Sequence, residues 1–217
     1  MKINRVKALK LMKEHAGFMF FVIALFASRS SVADWYTVPT GSMQPTIVEG
    51  DRIFVNKMAY RLEWPFTDIP VMDIAEPKRG DIVIINSKAA DLRLVKRVVG
   101  VPGDQVSMVN NRLVVNTEIL SYQAIKGTEK MIEELPLQPH AVQFKPSDQR
   151  MANFSNVEVP AGFYLVLGDN RNHSADSRVY GLVPASEIQG QAVRVIASLD
   201  PDNFYLPRQE RFLFTLI

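Results

Sequence analysis

The chain has 217 residues, enough for one substantial domain or two small ones, and its 47% hydrophobic and 22% charged content is that of a folded protein. Its formal net charge is +2, but residues 1–15 hold Lys2, Arg5, Lys7, Lys10 and Lys13 against Glu14 alone, so the remainder is slightly acidic and lacks the charge distribution of a nucleic-acid binder. With no cysteine the fold uses neither disulfides nor thiolate metal sites and is indifferent to an oxidising compartment.

After the basic start comes an uncharged apolar run, Ala16 to Ala27, shorter than the roughly 20 residues a hydrocarbon core requires. Three readings compete: a cleaved signal peptide, a membrane anchor stretched by snorkelling flanks, and a buried helix. The all-round apolar character directly after a basic segment disfavours the buried helix. Ser31-Val32-Ala33 puts small residues at both specificity positions of a cleavage site, which suits removal after Ala33. For an anchor, the run extends to Ala33 with Arg29 snorkelling, and Trp35 and Tyr36 stand where interfacial aromatics belong. In either case the basic end stays cytoplasmic and the rest faces outward.

Next is Val38 to Thr46, V-P-T-G-S-M-Q-P-T. Gly41 lets the backbone bend while Pro39 and Pro45 stiffen both sides, so the Ser42 hydroxyl is presented by a braced segment, as a nucleophile would be. The same residues are the ordinary vocabulary of a surface turn, and the stretch alone does not separate the two readings.

From Asp34 onward the pattern is β, with short runs of Val, Ile, Phe and Tyr punctuated by Gly, Pro, Asn and Asp. Strands are expected at Trp35–Val38, Arg52–Asn56, Asp81–Asn86, Leu92–Val101, Gln105–Val109, Arg112–Asn116, Phe163–Leu167 and Gln189–Ile196. Asn110-Asn111 reads as a two-residue hairpin turn needing positive φ. Residues 121–160 look like a loop-rich insertion, and the tail after Asp200 has no assignment.

Alternation along the fourth of these strands places Leu92, Leu94, Lys96 and Val98 on one face and Arg93, Val95, Arg97 and Val99 on the other. Lys96 shares the more apolar face. Desolvation there lowers a lysine pKa and yields a neutral amine able to take a proton from a serine, unless the side chain snorkels to water. Histidine offers little as a rival base, since His15 lies in the basic start, His140 in the irregular insertion and only His173 in a motif-like loop. No metal-ligand spacing and no Gly-rich phosphate loop occurs, so neither metal nor cofactor is expected. Gly168 to Arg178, G-D-N-R-N-H-S-A-D-S-R, follows an apolar strand and could orient a lysine amine, although solvated loops often look the same.

Four segments, in this order, resemble the type I signal peptidases, membrane-anchored serine proteases with a Ser/Lys dyad. They are T-G-S-M-Q-P-T at Thr40–Thr46, R-G-D-I-V at Arg79–Val83, K-R-V-V-G-V-P-G-D at Lys96–Asp104, and Gly168–Arg178. Together they span nearly all of the exported part. The resemblance implies a mostly β fold, an antiparallel catalytic sheet with a smaller β/loop insertion, preceded by one membrane helix. Its divisions fall at 1–33 for the basic start and anchor, 34–103 with 161–198 for the catalytic domain, 104–160 for the insertion, and 199–217 for the tail.

Carried over by position, the resemblance makes Ser42 the nucleophile and Lys96 the general base. Ser174 becomes the hydroxyl that orients the lysine amine, Asp176 and Arg178 the supporting ion pair, and Thr40 with the Ser42 N–H the oxyanion donors. Val38, Met43, Ile47, Ile84, Leu94 and Val95 fall where the family builds shallow pockets for small side chains, which implies cleavage after Ala-x-Ala. The implied partners are signal peptides of exported preproteins and membrane lipid, with no nucleic acid, and the implied state is a monomer at the outer face of a bacterial plasma membrane.

Asn172 and His173 depart from the family, which more often has an acidic residue and an asparagine there. That departure and the single short apolar segment also fit a paralogue dedicated to pilus or conjugation proteins. A self-cleaving repressor would use a Ser/Lys pair too, but it carries a DNA-binding region and no leading apolar segment. From a different class, a catalytically silent exported β-domain that binds proteins or polysaccharide would share the strand pattern without the chemistry.

Overall fold

A computed structural model describes residues 14–67, 69–136, 138–144 and 151–216. Helix α1 (Ala16–Ser31) leads into β1 (Ala33–Thr37) and β2 (Asp51–Asn56), followed by the hairpin β3 (Arg61–Glu63) and β4 (Pro70–Asp73), then β5 (Ile82–Ser87) and β6 (Leu92–Gly100). Next come β7 (Gln105–Val109), β8 (Arg112–Val115), β9 (Glu118–Ile119), β10 (Tyr122–Ala124), β11 (Lys130–Glu133), β12 (His140–Gln143) and β13 (Phe154–Glu158). The chain continues with β14 (Phe163–Leu167), the one-turn helix α2 (Ser177–Tyr180), β15 (Val183–Pro184), the long β16 (Ile188–Asp200) and β17 (Leu206–Pro207).

The main sheet has the order β1-β2-β16-β5-β6-β14-β15, with β17 beside β16. All of these pairings are antiparallel. Strand β5 is buried on both sides, because Ile82 and Ile84 face one apolar cluster with Ile53, Val55 and Val195, while Val83 and Ile85 face another with Leu94, Val98 and Val166. A third cluster packs Val106, Met108 and Leu113 of the β7–β8 hairpin onto Val99, Leu165 and Leu167, which ties the insertion to the main sheet. Asn110 and Asn111 turn that hairpin with φ of 49° and 62°, the positive values such a turn needs.

Residues 121–160 are more regular than the loop-rich expectation. They carry a three-stranded sheet, β10-β11-β12, and β13, which pairs with β7. The strands are only three to five residues long and Pro136 and Pro139 interrupt the pattern, so no period-two run is long enough to read. Pro65 and Pro70 hide the β3–β4 hairpin in the same way.

The tail is also structured. Val195 N–H donates to Phe214 O, Leu216 N–H donates to Val193 O, and Arg211 grips the Asp51 carboxylate with Nε at 2.9 Å and Nη2 at 2.5 Å.

Helix α1 exposes apolar side chains all round, among them Phe18, Phe20, Ile23 and Phe26. At 16 residues it is about 24 Å long, short of the roughly 30 Å hydrocarbon core. No helix among the described residues is long and apolar enough to cross a membrane. The first 13 residues of the anchor expected over 1–33 lie outside the described residues.

Candidate active site

Ser42 sits in a single 3-10 turn, Gly41–Met43, entered from an extended Thr40 (φ −135°, ψ 151°). Met43 and Ile47, both buried, pin the turn to the core below. The polar loop braces it from the side: Asn170 donates its backbone N–H to Ser42 O at 3.1 Å and its Nδ2 to Gly41 O at 3.0 Å. From the tail, Arg211 Nη2 donates to Thr46 O at 2.9 Å. These bonds fix the carbonyls of Gly41 and Ser42 and of Thr46 beyond the turn, so the backbone that carries the Ser42 hydroxyl is held from two sides.

Lys96 lies on β6 with 3% of its surface exposed, and its Nζ is 2.8 Å from Ser42 Oγ and 3.0 Å from Val95 O. Burial pushes its pKa down to about 8, against the upward pull of the Asp176 and Asp169 carboxylates, while Arg178 adds a smaller downward push. A sizeable fraction of the amine is therefore neutral near physiological pH, and its lone pair faces a serine hydroxyl at hydrogen-bond distance. Strand alternation leaves open whether this lysine snorkels; its burial excludes that.

Asp176 and Arg178 form the expected pair, with Arg178 Nε at 2.8 Å from Oδ1 and Nη2 at 2.7 Å from Oδ2. Asp176 Oδ2 also accepts from Gly168 N–H at 3.0 Å, and Arg178 Nη2 donates to Arg171 O at 2.7 Å. The pair thus closes the polar loop on itself. Ser174 departs from expectation: its Oγ is buried and has no hydrogen-bond partner, while the Lys96 amine is engaged by Ser42 and Val95. It is nonetheless deep in the site, since a Cβ at Gly168 would lie 2.2 Å from Ser174 Oγ and 2.4 Å from Ser42 O.

An open cleft of about 480 Å³ runs past the dyad between the serine turn and β6, lined by Val38, Met43, Leu94 and Val95 together with Ser42 and Lys96. Thr40 stands on its rim and uses its side chain for no cap on the turn it precedes. Ile47 and Ile84 do not line the cleft; both are wholly buried in the layer beneath, where they support Met43 and Val38. Along this stretch β6 pairs with β5 from Leu92 to Arg97, whereas β14 joins its other edge only from Arg97 to Gly100. From Leu92 to Lys96, that second edge carries no strand among the described residues. A slightly larger cleft of about 520 Å³, near Tyr60, Glu76 and Tyr164, lies away from the dyad and holds no Ser/Lys pair.

The model of the "Signal peptidase, peptidase S26" family matches residues 12–197. The chain belongs to this signal peptidase family. It is 34% identical to a signal peptidase I of Pseudomonas aeruginosa over 213 residues, covering 89% of this chain and 74% of that one. To the signal peptidase I of Rickettsia typhi it is 34% identical over 218 residues, covering 88% and 83%. A solved signal peptidase I from Enterococcus faecalis overlaps 55% of this chain and 98% of its own at 28% identity, but the TM-score of 0.36 is too low to carry an argument. The protein is accordingly a serine endopeptidase of the signal peptidase type.

Several residues around the dyad of this peptidase escape sequence reasoning. Arg97, next to Lys96, is wholly buried and clasps Asp169 with Nε at 2.9 Å and Nη2 at 2.8 Å; Asp169 in turn accepts from Thr46 Oγ1 at 2.5 Å. Burial raises the Asp169 pKa, yet the Arg97 charge and bonds outweigh it and hold the carboxylate below its ordinary value. The lysine strand and the serine turn are thereby joined through one ionised aspartate. Beyond it, His140 of β12 lies between Glu133 and Asp169, its pKa lowered by burial and by the Arg97 charge, and Glu133 holds Arg171. Alternation gives no signal for this pair, because it places Arg97 with Arg93 on the less apolar face, where a guanidinium is expected to reach water; its burial, and hence its need for an acidic partner, emerges only once β14 joins β6 from Arg97 onward.

Proposed function

We propose that this signal peptidase cuts preproteins after a signal peptide ending in small residues, with Ser42 as nucleophile and Lys96 as general base. The observation that carries the reading is the 2.8 Å approach of a buried, desolvated Lys96 Nζ to Ser42 Oγ on the wall of an apolar cleft. The neutral amine takes the Ser42 proton as Oγ attacks the scissile carbonyl carbon, giving a tetrahedral oxyanion. The Thr40 hydroxyl and Ser42 N–H receive that oxyanion. On collapse the C–N bond breaks and the Lys96 ammonium returns its proton to the leaving amine, leaving an ester on Ser42. A water, deprotonated by the same amine, attacks the ester carbonyl; the bond from that carbon to Ser42 Oγ then breaks, the Lys96 ammonium returns the proton to Oγ, and the signal peptide leaves with a free C-terminal carboxylate.

Two features support a short, small-residue end on the substrate. The open β6 edge from Leu92 to Lys96 offers main-chain bonds to an extended peptide, and the apolar side chains of Val38, Met43, Leu94 and Val95 line the cleft beside it, a surface suited to small apolar side chains. Asp176 with Arg178, and Ser174 through its proximity to Gly168, act as supports of the loop that packs on the dyad.

Residues 1–33 serve as a retained anchor in this proposal. The cleavage-like Ser31-Val32-Ala33 is held at the junction of α1 and β1: Ser31 is buried, Lys57 N–H donates to Val32 O, Lys57 Nζ to Ser30 O, and Phe66 N–H to Ser30 Oγ. A protease needs that segment extended and free. The exposed apolar surface of α1 then enters lipid, with Arg29 stacked on Trp35 at its outer end.

The test is cleavage of a purified preprotein by the full chain. Ser42→Ala and Lys96→Ala should each abolish product while keeping the thermal melt of the parent; product from either variant defeats the dyad. Full-length mass in the membrane fraction supports the anchor, and a mass lacking residues 1–33 removes it.

A further inference from the structure

A second cleft, of about 410 Å³, opens on the other side of Ser42. It shares Thr40, Ser42 and His173 with the apolar cleft, and apart from Gly41 the rest of its wall is polar: Gln44, Glu49, Gln143 and Asn170. Among the described residues no lysine or arginine lines it, and Glu49 is the acidic group there. Its position is as telling as its polarity. A substrate that lays its acyl half along the apolar cleft reaches Ser42 at the scissile bond, and the two clefts meet at that residue. The polar cleft is therefore the path open to the chain after the bond.

The polar groups are close enough to meet that chain. A Cβ placed on Gly41 would sit 2.9 Å from Gln44 Nε2 and 3.4 Å from Glu49 Oε1, so both side chains overhang the nucleophile's own turn. Asn170 donates Nδ2 to Gly41 O and its backbone N–H to Ser42 O, and Gln44 Oε1 is 3.4 Å from Gln143 Nε2. The Glu49 backbone is fixed by Arg208, whose Nη1 donates to Glu49 O at 2.8 Å, while its side chain remains exposed. A fixed main chain with an exposed carboxylate beside the reacting bond is a selector of charge.

We infer that the polar cleft receives the first residues after the scissile bond, and that Glu49 there favours a basic side chain over an acidic one. This rests on the Ser/Lys peptidase reading and adds to it a discrimination on the mature side of the cut. Because Glu49 is exposed, the selection is modest and falls as salt screens it.

Three preproteins identical but for Lys, Ser or Glu at the two positions after the cut provide the test, with kcat/KM measured for the wild type, Glu49→Gln and Glu49→Lys. The wild type should prefer the Lys substrate over the Glu substrate by about three- to tenfold at low salt, with the ratio shrinking at 0.5 M salt to about twofold or less. Glu49→Gln should bring the ratio close to one and Glu49→Lys should reverse it, with circular dichroism melts establishing that both variants fold. A Lys/Glu ratio unchanged in both variants overturns the inference while leaving the peptidase reading intact. Failure of the wild type to cut the Ser substrate, or cutting by Ser42→Ala, removes the peptidase reading and the inference with it.

Discussion

Arg171 and Glu133 share a two-pronged ion pair, with Nη1 at 2.6 Å from Oε2 and Nη2 at 2.7 Å from Oε1, and neither side chain has any exposed surface. They come from separate parts of the fold: Glu133 ends β11 in the small sheet, and Arg171 belongs to the loop whose Asn170 holds the serine turn. The small sheet therefore acts as a clamp on the nucleophile's support. Tyr122 adds its hydroxyl to the same Glu133 carboxylate, and Arg171 Nε reaches Gly168 O at 3.3 Å.

Truncating Glu133 to Ala strands a buried guanidinium, which costs about 3–5 kcal/mol. The thermal midpoint should drop by roughly 10 °C, by the usual conversion for a chain of this size. Activity measured well below the new midpoint should also fall, because Asn170 is no longer fixed, and Glu133→Gln should lose less of both. A Glu133→Ala protein with a parental melt would show that the pair supports nothing.

Legibility in the sequence follows the length scale of each signal. Strand β7 reveals itself by alternation and β14 by a continuous apolar run, whereas the Ser42 and Lys96 segments are each ambiguous alone and gain their meaning from the order of the four family-like segments. The clamp has no such local mark. Glu133, His140 and Arg171 are separated along the chain and sit in strands or loops of three or four residues, so their partnership exists only after the small sheet has folded against the polar loop. The resemblance places Ile47 and Ile84 at the cleft wall by their position beside the family-like segments, and position relative to a motif does not give the depth of a residue, which here is the layer beneath the cleft. For Ser174, the family resemblance implies a hydrogen bond to Lys96, whereas here the amine is already engaged by Ser42 Oγ and Val95 O.

Gly168 is the tightest point of the site. An added Cβ would lie 2.4 Å from Ser42 O, a backbone atom that cannot rotate away, and 2.2 Å from Ser174 Oγ. Gly168→Ala should push the serine turn off the lysine and lower kcat by about a hundredfold, the scale on which a 1 Å displacement acts, with little change in KM. Combining it with Ser174→Gly removes both Ser174 contacts, Oγ at 2.2 Å and Cβ at 2.5 Å, and leaves only the Ser42 carbonyl in the way, so the double variant should recover less than about tenfold of the lost rate. Single-turnover cleavage assays separate these outcomes; full recovery would locate the clash at Ser174 and leave the Ser42 carbonyl out of it.

The rate should depend on pH through Lys96. With its pKa lowered to about 8 by burial, the amine is protonated and inert as a base below that value and becomes competent as pH rises through it. The kcat/KM profile should therefore climb about tenfold per pH unit on the acidic side and level off near pH 8 to 9. Lys96→Arg should be inactive throughout, because a guanidinium does not release its proton in this range. A climb continuing to about 10.4, the pKa of a free lysine, would mean that the amine is hydrated in solution.

The same depression makes Lys96 a cost to folding that fades with pH. Its value falls from 10.5 to about 8 in the folded chain, so between these two pH values the unfolded chain binds more protons than the folded one, and stability rises with pH across that window. Below pH 8 the whole penalty, on the order of 3 kcal/mol, is present; above about 10.5 it is gone. Lys96→Met keeps a long unbranched side chain without the charge. The variant should gain stability of that order at pH 7 and progressively less as pH approaches 10, while losing all cleavage. Urea midpoints of the two proteins at pH 7, 8.5 and 10 give the comparison directly. A constant gap across the three values would show that the difference comes from packing, and that burial of the ammonium imposes no penalty on the fold.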